Sequence, residues 1–145
     1  MNPSDSSPPV NIEPLKRDPT EWIVGGYDVH VIFTQEYKQL ALDLFERFRA
    51  FVIDQGMVHD RAMVFADPVG PWPTPMWQVL LRDQSMPQLS VDLGMCIGWL
   101  MLNRGSLSVM IHPNTCTQDG GYADHAEHSV WLGESIDLKL EIFNR

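Results

Sequence analysis

Two cysteines are all that this sequence holds, Cys96 and Cys116, and they do not form a CxxC pair. A small secreted domain would usually carry more, so free thiols in the cytoplasm are the expectation. Basic residues are scarce as well: ten Lys and Arg against 19 Asp and Glu give a formal net charge of -9. Those ten are scattered. Nucleic acid and anionic membrane surfaces both need a basic patch, so neither is an expected partner. No apolar run is long enough to span a bilayer. The opening stretch MNPSDSSPPVNIEP has no basic segment followed by an apolar one, so a secretory signal is not expected. GxSxG, P-loop and GxGxxG motifs are missing, which removes the commonest hydrolase and nucleotide-binding signatures.

What is present fits one α+β domain. The chain has 145 residues and is 44% hydrophobic, enough to bury a core. Residues 1–20 are rich in Pro, Ser and Asp and read as a flexible arm; residues 21–145 read as a single domain. Tyr27, Val29, Val31 and Phe33 alternate with Asp28, His30 and Ile32, which predicts a first strand over Tyr27–Phe33. Leu40, Leu44, Phe45, Phe48, Phe51 and Val52 recur at helical spacing, which predicts a helix over Gln35–Gln55, with Gly56 to cap it. Strands follow over about Met57–Ala66 and Met76–Leu81, separated by a rigid loop, Asp67–Pro75, with four prolines. A second helix is expected over Gln88–Asn103 and a strand over Ser106–Ile111. After a loop to Glu127 come a short strand, Ser129–Leu132, and a further one over Leu138–Ile142.

This βαββαβ order is that of a ferredoxin-like fold, an antiparallel sheet with both helices on one face, here with a short C-terminal strand extension. The first and fourth strands are neighbours in that fold. Their apolar sides would face the helices. Asp28, His30 and Ile32 would share the open face with Ser106, Ser108, Met110 and His112. An open face with apolar members needs a cover, from the C-terminal segment or from a second subunit, and a homodimer is expected.

The chemistry concentrates in histidine. Of the five, His30, His59, His112, His125 and His128, three lie within the 17 residues HPNTCTQDGGYADHAEH. Neutral imidazole is the commonest metal ligand, and two histidines plus a carboxylate suit non-haem Fe(II) in oxygenases. His125 and His128 share a face if their segment is helical and oppose each other if it is extended. Asp124 is expected to orient the ring of His125. Besides Asp124, the carboxylates Asp28, Glu127 and Glu134 lie near these histidines in sequence.

The stretches YDVHVIF, PVGPWP, NRGSLSVMIHPNT and DHAEHSVWLGE resemble the DOPA 4,5-dioxygenase family from Tyr27 to Glu134. The resemblance implies a small, often dimeric, ferredoxin-like protein. It implies metal-dependent extradiol cleavage of DOPA or a related catechol with O2, using Fe(II), with Zn as the other candidate. By the same resemblance His30, His112 and His125 are metal ligands, with Asp28 as a fourth, and His125 and His128 are the acid/base candidates. Trp72, Trp77 and Ser108 are assigned to the substrate wall. Two positions depart from the family's pattern: Asp28 and Trp72 stand where many members have histidine. A non-catalytic dimeric relative that binds a small aromatic ligand is therefore the alternative expectation.

Overall fold

The computed structural model describes residues 14–83 and 85–143. Its elements are α1 (Pro19–Trp22), β1 (Ile23–Ile32), α2 (Lys38–Asp54), β2 (His59–Phe65), β3 (Met76–Leu81), α3 (Met86–Asn103), β4 (Ser108–Thr115), α4 (Tyr122–Ala126) and β5 (Val130–Leu132). The sheet runs β2-β3-β1-β4-β5, and each neighbouring pair is antiparallel. This is the ferredoxin-like arrangement with β5 added beyond β4. No helix among the described residues is long and apolar enough to cross a membrane.

Strand alternation divides the sheet into two faces. Val29 and Val31 of β1, Trp77, Val79 and Leu81 of β3, and Val109 and Ile111 of β4 form one face. They build the main core with Leu44, Phe48 and Val52 of α2 and Leu89, Cys96 and Leu100 of α3. On the opposite face Ile32, Trp72, Met76 and Met110 form a smaller cluster, covered by Trp131, Ile136 and Leu138. The chain's own C-terminal segment thus covers part of the face that carries His30 and His112. That segment is tied to the proline loop by the Lys139 N–H, which donates to the Pro71 carbonyl at 2.8 Å.

Several boundaries differ from the sequence expectation. Of the expected arm, residues 1–13 lie outside the described residues. Its last part is ordered: the Asp18 carboxylate caps α1 by accepting from Thr20 N at 2.8 Å. β1 begins at Ile23 rather than Tyr27, because Gly26 adopts φ +76° and lets the strand continue through an irregularity instead of turning away. β4 continues past Ile111 through His112–Thr115. Its proline is tolerated because β5 stops pairing at Ile111, so β4 is an edge from there on. The loop before β5 contains α4. Leu138–Ile142 is not a strand, since it finds no sheet edge; Leu140–Ile142 is a 3-10 turn.

Trp77 was expected on the substrate wall and is instead a core residue. It pairs with Val31 and faces the helices, where its Nε1–H donates to the Ala41 carbonyl at 2.8 Å. The side chains that β3 presents to the histidine face are Met76, Gln78 and Leu80. Ser108 lies on the histidine face, opposite Ile32. It is four residues from His112, roughly 13 Å along the strand, and two from Met110, which stands opposite His30.

Gly26 gives a direct test of this geometry. A Cβ added there would meet the Leu81 carbonyl of β3, and φ is positive. Gly26→Ala is expected to lower stability by about 1–3 kcal/mol, read as a lower urea midpoint. An unchanged midpoint would contradict the described β1–β3 junction.

Candidate metal centre

Register builds the site. Asp28 of β1 stands directly opposite His112 of β4, and His30 is opposite Met110. His30 and His112 are therefore diagonal neighbours on one face. Their Nε2 atoms are 3.1 Å apart and their rings are stacked, with centroids 5.1 Å apart. The third ring comes from α4: His125 lies 4.1 Å from His112 and 6.5 Å from His30, centroid to centroid. One candidate ligand nitrogen from each of the three lies within 4.8 Å of the others. His30 and His112 are both about 3% exposed.

The tautomers follow from the hydrogen bonds. His112 Nδ1–H donates to the Pro113 carbonyl at 2.9 Å, and His125 Nδ1–H donates to the Gly121 carbonyl at 2.7 Å. Each ring thus turns a bare Nε2 lone pair outward. With the His112 Nε2 as acceptor, the contact to His30 places a proton on His30 Nε2. That leaves His30 Nδ1 buried without a partner. Two imidazole nitrogens facing each other need a cation or a proton between them.

The residues fit a metal ion. Nitrogens that bind one ion at about 2.1 Å stand about 3.0–3.4 Å apart, and the His30–His112 pair is already at that spacing. Protonation is resisted too. Burial, reinforced by His112 and His125, holds His30 well below the ordinary histidine range. Burial and then His112 lower His125, against the opposing effect of its bond to Gly121 and of Asp28 and Asp124. Neutral imidazole is the form that binds metal.

The surrounding residues divide into two groups. Asp28 lies at the edge of the cluster, with its Oδ2 at 3.8 Å from His112 Nε2. That oxygen accepts from Asn114 Nδ2 at 2.8 Å, and Asp28 stands beside the group formed by the three histidines. Trp72 is buried against His30, with ring centroids 4.3 Å apart, and Phe143 packs on His125 at 5.0 Å. Phe143, just after the 3-10 turn Leu140–Ile142, carries no local sequence signal for this placement.

His128 is not brought to the cluster. Its Nδ1–H donates to Asp124 Oδ1 at 2.9 Å, and its Nε2 accepts from Arg17 Nη1 at 3.2 Å. Both nitrogens are engaged elsewhere, which argues against the expected acid/base role. Asp124 orients His128 rather than its chain neighbour His125: adjacent residues on a helix do not face each other, and the turn that closes α4, with the Glu127 and His128 N–H groups donating to the Ala123 carbonyl, brings the His128 ring back to Asp124. His59 is remote as well; its Nδ1–H donates to the Met57 carbonyl at 2.9 Å. It lines a separate groove of about 700 Å³ with Asp60, Arg82 and Met86 that contains none of the three clustered histidines.

The lowered histidines set a pH dependence for the metal-free protein. Between the unfolded value of 6.5 and the depressed folded values, the unfolded chain binds protons that the folded chain refuses. Stability present above pH 6.5 is therefore lost as pH falls below it. Urea midpoints measured from pH 7.5 to 5 should fall, and His30→Gln should flatten that part of the profile. A flat profile in the unsubstituted protein would contradict buried neutral imidazoles.

Known proteins match this chain over most of its length. The profile of the Dopa 4,5-dioxygenase family matches residues 27–142. An uncharacterized 21.2 kDa protein of Botryotinia fuckeliana is 29% identical over 152 residues, which span 100% of this chain and 78% of that one. The DOPA 4,5-dioxygenase of Amanita muscaria is 28% identical over 74 residues, 51% of this chain and 28% of that one. A solved structure from Nostoc punctiforme, described as a candidate dioxygenase, has a TM-score of 0.67 at 29% identity, covering 88% of this chain and 96% of that one. The family profile extends from β1, which carries His30, to the C-terminal turn that covers the histidine face, and the chain belongs to the Dopa 4,5-dioxygenase family.

Proposed function

We propose that this protein is a metal-dependent extradiol ring-cleaving dioxygenase that acts on DOPA or a related catechol, with His30, His112 and His125 holding Fe(II). The observation that carries this reading is the three-imidazole cluster, with its ligand nitrogens within 4.8 Å of one another. The family and the Nostoc neighbour support an oxygenase-type activity. Zinc accepts the same donors, but chemistry on O2 favours iron.

When bound, the metal supplies Lewis acidity toward the catechol oxygens and the redox partner for O2. The chain's own residues supply the rest. Pro113 and Gly121 carbonyls fix two rings in the tautomer that presents Nε2. Asn114 holds the Asp28 carboxylate beside the cluster, where it suits taking a proton from a substrate hydroxyl. Trp72 and Phe143 give the site aromatic walls that exclude water and match a planar ring.

The test is oxygen consumption by anaerobically Fe(II)-reconstituted protein offered a panel of catechols that includes DOPA and caffeate. Uptake should accompany a yellow ring-opened product. His112→Ala should reduce both to background with an unchanged far-UV spectrum. Bound iron without uptake on any catechol, or full turnover by His112→Ala, would sink the assignment.

A further inference from the structure

Helix α4 carries His125 yet spans only Tyr122–Ala126. Five residues cannot hold a helix by their own hydrogen bonds, so the direction of the His125 ring depends on what ties α4 to the sheet. That tie is Asp124. Its side chain is buried, and it accepts three hydrogen bonds: from Thr115 N at 2.9 Å, from Thr115 Oγ1 at 2.6 Å and from His128 Nδ1 at 2.9 Å. Two of the three come from β4, the strand that also carries His112, three residues before Thr115. Burial alone would raise the Asp124 carboxyl, but the Thr115 and His128 hydrogen bonds outweigh it and hold the group below the usual carboxylate range. The clamp continues outward. Arg17 Nη1 donates to His128 Nε2 at 3.2 Å, and the Arg17 guanidinium lies 4.6 Å over the Trp22 ring.

We propose that Asp124 is a positioning residue for the metal centre: clamped to Thr115 and His128, it fixes His125 against His112 and thereby sets the affinity and geometry of the bound ion. The proposal rests on the three-histidine centre described above. It gives His128 a place in the site's support rather than in proton transfer. An apolar side chain at position 124 could fill the same volume. It could not accept the Thr115 N–H and hydroxyl: the N–H would lose this partner, and the hydroxyl would keep only its 2.9 Å contact with Thr117 Oγ1.

The experiment titrates Co(II) into the whole metal-free protein and reads affinity and ligand-field absorption. Asp124→Asn should bind Co(II) about 10–100-fold more weakly, with a shifted absorption band at saturation and an unchanged far-UV spectrum. Thr115→Val should weaken binding in the same direction, while Thr115→Ser, which keeps the hydroxyl, should restore it. A purely structural role for Asp124 would lower stability without moving the saturated Co(II) spectrum. Wild-type affinity and spectrum in both Asp124→Asn and Thr115→Val would overturn the proposal. Should Asp124→Asn fail to fold, the contrast between Thr115→Val and Thr115→Ser decides it. If the unsubstituted protein binds no Co(II), the metal centre itself is wrong and the positioning role goes with it.

Discussion

The antiparallel register between β1 and β4 is the constraint on which the site depends. Asp28 faces His112 across the ladder, and His30 lies diagonally from it. A slip of one residue would turn His30 into the helix-packed core and bring Val29 or Val31 to the opposite face. The core prevents that slip. Val29, Val31, Val109 and Ile111 are all buried against α2 and α3, and moving such side chains into a polar cluster would forfeit their burial, about 1.5–3 kcal/mol each. The hydrophobic side of the sheet thus fixes the geometry of its functional side.

The third histidine is held by different means. His30 and His112 sit on strands whose neighbours define their positions, whereas His125 projects from one and a half turns of helix in a glycine-rich loop. Its ring is set by the Gly121 carbonyl and its helix by Asp124. The site therefore combines a rigid pair with a third member whose placement is conditional on a small polar clamp. Trp72 and Phe143 close over this group from the proline loop and from the C-terminal turn. Both are aromatic and neither can bind metal, so they wall the centre without adding a ligand.

Much of this was legible in the sequence where alternation is clean. In β1 a single apolar stripe, from Tyr27 to Phe33, assigns His30 to the other face without ambiguity, and the same logic works for His112 on β4. It fails for β3, whose MWQVLL is apolar on both faces because each face packs on something. Periodicity alone could not tell that Trp77 turns to the helices while Met76 turns to the histidines. α4 was illegible because five residues are too few to show a helical period. For the same reason the sequence suggests pairing Asp124 with its neighbour His125, although the turn that closes α4 brings it to His128. Phe143 is set in place by the path of the C-terminal segment, a tertiary feature with no local signature.

The central claim is that His30, His112 and His125 hold one metal ion. X-ray absorption at the iron edge, on protein loaded anaerobically with Fe(II), tests it most directly. The account predicts one iron per chain with three imidazole nitrogens at about 2.0–2.2 Å, and loss of that signature in a His30→Ala, His125→Ala double variant that keeps its fold. An iron shell without imidazole scattering, or the same shell in the double variant, would contradict it.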